Sequence, residues 1–235
     1  MSNVVNKHLV RSGRSLRRRY QHLSMTMKGY ERLGTRYGGW WVHPASLSQA
    51  PLLIDCGLGE DISFPTAFLK KFGGRLLGIE ANPKSIAYCQ DKTPAGMEIR
   101  HRACWIESGK QISFFVPENK ANVSGSLVAD HSYVGNEKID TETINFQSAL
   151  DSLEWDSCDV LKLDIERAEY EVLANLCDSG AIRSVKQLLV EYHHVCTGYS
   201  LEDTQASARK TCEAGFELVL VEDRNYVFRR TDNKN

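Results

Sequence analysis

Two glycines and two acidic residues stand where a nucleoside-type ligand could be held. An apolar run, 52–54, leads directly into Asp55, Gly57 and Gly59. Glycine lets the backbone of such a turn approach a ligand closely, and the N-terminus of the following helix carries partial positive charge. Glu80 comes 21 residues after Gly59, at the end of the next apolar run. A carboxylate there can accept hydrogen bonds from both ribose hydroxyls, so the spacing predicts an adenosine-containing ligand.

The acidic character of this turn narrows the ligand further. The dinucleotide fingerprint G-x-G-x-x-G is not satisfied, because Ile62 stands at its third glycine position, and no Walker sequence is present. Asp55, Glu60 and Asp61 would repel a pyrophosphate but attract a cationic sulfonium and an amino group. The turn therefore predicts S-adenosyl-L-methionine (SAM) as the cofactor.

Three further side chains at strand ends could act as a general base. Asp164 and Glu166 follow another apolar run, 160–163, and His193 follows Glu191 at the end of a later one. A histidine ordinarily titrates near neutral pH, which suits a general base, and either carboxylate could also serve. The sequence leaves this choice open. A single Asp-x-Glu pair without further oxygen ligands does not indicate a metal, so we expect no metal site.

The elements that must position these residues follow a βαβ pattern. From residue 51, short apolar runs alternate with amphipathic stretches, which predicts a doubly wound α/β fold with a mainly parallel, seven-stranded sheet. The runs 216–221 and 226–229 predict a terminal hairpin that adds an antiparallel strand. The segment 117–140 has no clear period and is predicted to be a functional loop. In such sheets ligands bind at the carboxyl ends of the strands.

Length and composition indicate one globular domain. The 235 residues are 42% hydrophobic and 25% charged, which excludes a disordered chain or a fibrous repeat. We expect a single catalytic domain at 29–230 and a tail at 231–235. No apolar stretch approaches 18 residues and no signal sequence is evident, so a cytoplasmic protein without a membrane span is expected. The seven cysteines are scattered and lack metal spacing, which predicts reduced, mostly buried thiols.

Charge is distributed unevenly along the chain. Residues 1–28 form a basic arm with seven Lys or Arg side chains and no acid, which leaves 22 basic and 30 acidic residues, or −8, for the remainder. The arm could bind nucleic acid or an anionic surface, or it could be a solvated helix lying against the acidic domain.

Five motifs in order give the chain a family resemblance. DCGLGEDISF, GIEANP, NVSGSL, DVLKLDIERAE and VEYHH resemble the FkbM-type SAM-dependent methyltransferases over roughly residues 30–230. The resemblance implies the Rossmann-like class I methyltransferase fold with SAM as cofactor. It also implies O-methylation of a hydroxyl on a saccharide-like or natural-product small molecule.

The resemblance also implies roles for individual residues. Asp55, Gly57 and Gly59 are expected along the methionine part of SAM, and Glu80 at its ribose. Asp164 is expected beside the transferable methyl group. Two further residues are expected near the adenine, namely Asn82 and Cys104.

Two features leave alternatives open. Arg167 stands where the family usually has glycine, and it could pair with a neighbouring carboxylate or contact an anionic substrate group. Trp40 and Trp41 could belong to a lid over the cofactor or pack against the sheet.

Two other functions compete with O-methylation of a small molecule. A nucleic-acid methyltransferase could use the basic arm for phosphate contacts. The (N/D)PPY-like sequence of amino-group DNA methylases is missing at 164–167, so a nucleic-acid substrate is the weaker alternative. The other is a non-catalytic SAM-binding module in which Arg167 marks lost catalysis.

Overall fold

The computed structural model describes residues 17–129 and 131–231. Twelve strands occur in these residues, and they are numbered in chain order: β1 (Glu31–Leu33), β2 (Trp40–Val42), β3 (Leu52–Cys56), β4 (Arg75–Glu80), β5 (Met97–His101), β6 (Ala103–Cys104), β7 (Gln111–Pro117), β8 (Val134–Ile144), β9 (Cys158–Leu163), β10 (Val185–Glu191), β11 (Phe216–Glu222) and β12 (Asn225–Arg230). The α-helices are α1 (17–27), α2 (Ser63–Phe72), α3 (Pro83–Gln90), α4 (Phe146–Asp151), α5 (Glu169–Ser179) and α6 (Leu201–Glu213).

Seven of these strands form the central sheet, in the order β5-β4-β3-β9-β10-β12-β11. Strand β3 pairs in parallel with both β4 and β9, and β9 pairs in parallel with β10. Only β12 runs antiparallel to its two neighbours, β10 and β11. The prediction of a mainly parallel seven-stranded sheet with an antiparallel terminal strand is confirmed. The strand order reverses between β3 and β9, where such sheets bind ligands.

Successive residues of a strand point to opposite sides of the sheet, so the buried strands present apolar side chains on both faces. Helices cover each face. Ile54 and Leu161 belong to one buried cluster, whereas Leu53 and Val160 belong to the other. Trp40 and Trp41 are buried in the second cluster. Packing against the sheet is supported for both tryptophans, and Trp40 also lines the cavity described below.

Local signals in the sequence set several helix ends. Ser200 and Asp203 form a reciprocal capping box at the start of α6. Gly180 ends α5 in the left-handed conformation, with φ of 77°. Pro83 occupies the first turn of α3, after Asn82, whose side chain accepts a hydrogen bond from the Lys84 amide.

The segment 117–140 is more regular than its sequence indicates. Strand β8 covers its last seven residues, 134–140, and pairs antiparallel with β7, and both belong to a three-stranded sheet completed by β6. The prediction of an irregular loop was therefore wrong for 134–140. The pattern is hard to read because residues 134–140 are exposed or half-buried and mostly polar.

Helix α1 lies within the predicted basic arm, of which residues 1–16 are outside the described part of the chain. Arg18 Nε is 2.6 Å and His22 Nε2 3.0 Å from the same Glu222 carboxylate oxygen. The alternative of a helix lying against the acidic domain is supported for 17–27. Within the described residues, no helix has the length and apolar character that crossing a bilayer requires.

Candidate functional site

A cavity of about 540 Å³ opens at the carboxyl ends of β3, β4, β9 and β10. Its lining includes many of the residues expected there, together with several that sequence reasoning missed. The expected residues that line it are Gly57, Gly59, Glu80, Cys104, Asp164, Glu166 and His193. Asp55 and Asn82 are not part of the lining.

The glycine turn after β3 is shaped by its contact with the end of β9. Gly57 has φ of 85°, and a Cβ there would stand 1.8 Å from the carbonyl oxygen of Asp164. Any other side chain would therefore push the two strand ends apart. Gly59 also has positive φ, 57°, at the cavity wall. The turn thus presents bare backbone to the cavity, as a closely approaching ligand requires.

Glu80 holds this turn in place. One of its carboxylate oxygens accepts hydrogen bonds from the Leu58 and Gly59 amides, both 2.9 Å, and the other accepts one from the Asn82 amide at 2.7 Å. Burial raises the pKa of Glu80 despite these bonds. A carboxylate has about four acceptor positions, so one remains for a ligand hydroxyl in the cavity.

Asp55 lies beneath the cavity and does not line it, which differs from the expected contact with the cofactor. Lys162 Nζ is 2.9 Å from Asp55 Oδ1, 2.8 Å from the Gly57 carbonyl oxygen and 3.5 Å from Asp164 Oδ2. Burial opposes the charge on Lys162, but Asp55 and Asp164 raise its pKa overall. Asp55 is drawn inward because the buried lysine needs a counter-charge. Lys162 itself lines the cavity.

Asn82 and Cys104 were expected near the adenine, and the structure separates them. Asn82 caps α3 and donates a hydrogen bond to the Val123 carbonyl oxygen at 2.9 Å. It therefore positions the segment that carries Val123, a lining residue, without reaching the cavity itself. Cys104, by contrast, is buried and lines the cavity, as Glu80 does.

The three expected proton acceptors come together at the ends of β9 and β10. His193 Nε2 is 3.7 Å from Asp164 Oδ1 and 3.3 Å from Glu166 Oε2. Glu191 Oε1, which sequence reasoning did not single out, is 3.9 Å from the same nitrogen. All four side chains line the cavity.

A buried carboxylate behind His193 fixes the orientation of its ring. Glu169 Oε1 accepts a hydrogen bond from the His193 backbone amide at 2.8 Å and lies 3.1 Å from Nδ1. A carboxylate can only accept, so Nδ1 carries a hydrogen and Nε2 is the atom turned to the cavity side. Burial alone would lower the pKa of His193, but Glu169, Glu166 and Asp164 outweigh it and raise that pKa to about 10.

Glu166 is held by a second histidine, His131, from the segment before β8. His131 Nε2 lies 3.0 Å from Glu166 Oε2, and the imidazole is fully buried. Burial raises the pKa of Glu166, but the His131 hydrogen bond and the His193 charge lower it to about 2. Ser126 Oγ also donates to the Glu166 carbonyl oxygen at 2.7 Å. Glu166, with φ of 52°, is therefore an ionised and firmly positioned carboxylate.

Glu191 is the carboxyl of this cluster with a pKa near neutral. Burial and the Asp164 charge raise it to about 7, although Arg224 Nη2 is 2.5 Å from Oε1. One ligand atom each from Asp164, Glu191 and His193 lie within 4.8 Å of one another, so the three could hold a metal ion. Lys162 and Arg224 already bring positive charge to Asp164 and Glu191. The absence of a metal stays a prediction.

Arg167 contacts residues close to it in the fold and does not line the cavity. Its guanidinium stacks over the Tyr199 ring, 4.9 Å from the centroid, and Nη2 is 3.6 Å from Glu171 Oε1. Its φ of 97° is one that glycine adopts more easily. Of the two alternatives for Arg167, pairing with a neighbouring carboxylate is supported.

The cavity suits SAM in three respects. Bare backbone at Gly57 and Gly59 allows close approach, and Glu80 keeps one acceptor position for a ribose hydroxyl. Ionised Glu166 and the neighbouring Asp164 favour a cationic sulfur and an amino group. The residues present therefore fit this cofactor.

Several solved structures resemble the chain at low identity. The fibrillarin/Nop5p complex has 11% identity and a TM-score of 0.43, covering 79% of this chain and 75% of that one. Aeropyrum pernix fibrillarin with natively bound S-adenosyl-L-methionine has 12% identity and a TM-score of 0.41, covering 78% and 66%. A putative S-adenosylmethionine-dependent methyltransferase from Listeria monocytogenes has 9% identity and a TM-score of 0.41, covering 80% and 96%.

A search of curated proteins finds no match to this chain. The sequence model of the methyltransferase FkbM domain, however, matches residues 55–227, which span the glycine turn, the β9 and β10 strand ends and most of the terminal hairpin. This match confirms the resemblance drawn from the five motifs, and with it SAM as the cofactor. The chain belongs to the FkbM methyltransferase domain family and is a SAM-dependent methyltransferase.

Proposed function

We propose that this methyltransferase acts on a hydroxyl of a saccharide-like or natural-product small molecule, with His193 as the general base. The observation that carries the proposal is the buried Glu169–His193 pair, which turns Nε2 toward the cavity side beside Asp164. Transfer to a hydroxyl must remove a proton from oxygen, and a fixed imidazole at the acceptor position can take it.

The cofactor is held, in this proposal, by the glycine turn, Glu80 and Asp164. SAM supplies a methyl group on a cationic sulfur. Asp164 and Glu166 stabilise that positive charge by proximity, since both line the cavity and Glu166 stays ionised down to about pH 2. Lys162 keeps Asp164 in place from below.

His193 must be neutral at Nε2 before it can accept a proton. Its pKa of about 10 belongs to a cavity that contains only the protein's charges. A cationic ligand beside it opposes protonation and lowers that pKa toward the working range. Once Nε2 takes the proton, Glu169, Glu166 and Asp164 stabilise the imidazolium.

Exposed aromatic side chains in the cavity lining favour an acceptor that contains a ring. Tyr37 is 91% exposed and Tyr133 is 52% exposed, and both line the cavity. Exposed aromatic faces pack well against sugar or aromatic rings. The volume of about 540 Å³ lies within the range of small-molecule sites.

The proposal is tested by incubating the protein with methyl-labelled SAM and a panel of hydroxylated sugars, glycosides and phenols. We expect a labelled methyl ether. His193→Gln should lower turnover by about 10²- to 10⁴-fold while leaving SAM affinity within about threefold. His194→Gln, which changes the adjacent histidine outside the cavity lining, should retain activity.

The pH profile identifies the base. Turnover should rise toward the alkaline side as Nε2 loses its proton, and His193→Gln should abolish that rise. A rise near pH 7 that only Glu191→Gln removes would transfer the role to Glu191. SAM binding without transfer to any acceptor would instead indicate the non-catalytic module, and methylation of nitrogen alone would refute O-methylation.

A further inference from the structure

Helix α1 exposes an apolar stripe on its outer face. Tyr20, Leu23 and Met27 are 75%, 60% and 80% exposed. Their spacing of three and four residues places them on one side of the helix. The opposite side faces the domain, where Met25 is buried in the core and His22 packs edge-on against Trp41. The stripe therefore points away from the protein.

Basic side chains flank this stripe. At about 100° per residue, Arg19 falls on one side of it and Arg17 on the other. Lys28 follows directly after the helix, and all three are exposed. None of them has an ion pair with another described residue, whereas Arg18 on the inner side is paired with Glu222. No acidic residue occurs in 1–28.

We infer that α1 docks on an anionic lipid surface. An amphipathic helix with an apolar face and basic flanks lies in the interfacial plane, with its apolar side chains at the acyl boundary and its cations among the headgroups. Tyrosine beside leucine and methionine is suited to that boundary. The occupant is thus a bilayer that contains acidic lipids.

The two other candidate partners account for only part of this surface. A nucleic acid would use Arg17, Arg19 and Lys28 for phosphate contacts but would leave Leu23 and Met27 exposed. A second copy would bring the same cations against these, so like charges would oppose the contact. Of these three occupants, the anionic lipid surface is the one that uses the apolar stripe and the charges together.

Docking through α1 would also determine how far the cavity lies from the lipid surface. Arg18 lines the cavity, and contacts from Arg18, Gln21 and His22 to 221–222 tie the helix to the end of β11. A membrane-bound α1 would therefore hold the cavity mouth close to the headgroups. This inference goes beyond the proposed function, because methyl transfer itself requires no membrane.

The test is co-sedimentation of the full chain with vesicles of phosphatidylcholine alone or mixed with phosphatidylserine. We expect binding to the mixed vesicles only, weakened by salt. The double variant Leu23→Gln/Met27→Gln should weaken it by about tenfold or more, because two apolar side chains no longer leave water. Arg17→Gln/Arg19→Gln should weaken it as well. Leu201→Gln, at an exposed apolar residue elsewhere, should not.

Each variant is first checked for SAM binding, which reports a folded domain. Vesicle binding unaffected by Leu23→Gln/Met27→Gln, or no vesicle binding by the full chain, would overturn the inference. So would salt-sensitive RNA binding that depends on the arginines alone, or dimerisation through the stripe. Because the assay needs no acceptor, its result is independent of the methyl-transfer proposal.

Discussion

Strand β9 carries one member of a lysine–aspartate pair at each end, and the two pairs differ in their surroundings. Asp159 pairs with Lys186 at the amino end, and Lys162 pairs with Asp55 at the carboxyl end. At the amino end, Asp159 accepts hydrogen bonds from the Ser48 amide and hydroxyl, both 2.8 Å, from the Leu52 amide at 2.9 Å, and from Lys186 at 2.8 Å. Burial raises the pKa of Asp159, but these donors lower it overall. The Asp159 carboxylate thus has four hydrogen-bond donors, and it does not line the cavity.

At the carboxyl end, the Lys162–Asp55 pair lies near further carboxyl groups, those of Asp164 and Glu191. Lys162 serves Asp55 and Asp164 together, and burial raises the pKa of Asp55 despite the lysine. Glu191 and His193, a few ångströms away, have pKa values raised to about 7 and about 10. A carboxylate whose hydrogen bonds are all made is typical of a structural role. Ionisable groups with shifted pKa values inside a cavity are typical of a functional site.

Breaking the amino-end pair should lower stability without affecting cofactor binding. Asp159→Ala leaves several buried donors and a partly buried lysine without a partner, so we expect unfolding free energy to fall by about 2–4 kcal/mol. SAM affinity of the folded variant should stay within about twofold. Urea denaturation and calorimetry check both quantities.

The control is Asp178→Ala, which removes the exposed ion pair with Lys210 and should cost under about 0.5 kcal/mol. If Asp159→Ala proved as mild as this control, or if it abolished SAM binding, the division between a structural end and a chemical end would fail.

The two ends should also respond to opposite extremes of pH. The raised pKa of His193 means that its pairing stabilises the fold fully below its unfolded value of about 6.5, and this contribution is lost as pH rises through about 10. The lowered pKa of Asp159 means that its contribution is present above about 3.9 and is lost as pH falls through the folded value.

Denaturant unfolding at a series of pH values measures these contributions. The wild type and His193→Gln should converge as the pH approaches about 10, and the wild type and Asp159→Asn should converge in acid. If the wild type and His193→Gln instead converged in acid, the pKa of His193 would be lowered by folding and not raised.

Arg167→Gly should have the smallest effect. Glycine relieves the left-handed backbone at φ of 97°, but the stacking on Tyr199 and the Glu171 contact are lost. These changes oppose each other, so the unfolding free energy should shift by no more than about 1 kcal/mol. SAM affinity should be unchanged within about twofold. A large loss of acceptor affinity with intact stability would return Arg167 to the role of substrate contact.

Much of the central fold was predictable because its signals are local. The apolar runs of β3, β4 and β9 are buried on both faces and read as uninterrupted segments. Ser200 with Asp203, Pro83 and Gly180 set helix ends within a few residues of themselves. Strand β8 was missed because its stability comes from pairing with β7, whose partner residues lie 17 to 31 positions earlier, and its own sequence is largely polar.

The site was predictable at the strand ends but not in its supporting contacts. Gly57, Glu80, Asp164 and His193 follow apolar runs that a reader of the sequence can locate. Lys162 sits inside such a run, 107 positions from Asp55, so only the fold makes them partners. The same is true of Glu169 and His193, 24 positions apart, and of His131 with Glu166. The position of Asp55 beneath the cavity was not predictable, because no local pattern indicates its pairing with the buried Lys162.

The most direct test is calorimetric titration of the purified protein with SAM, repeated with Glu80→Ala, Glu80→Gln and, as a control outside the cavity, Glu98→Ala. We expect the wild type and Glu98→Ala to bind SAM alike and Glu80→Ala to bind it about tenfold more weakly or worse. Glu80→Gln, which keeps one acceptor oxygen, should fall between them. A folded wild-type protein that does not bind SAM, or one whose affinity is indifferent to Glu80, would contradict the account.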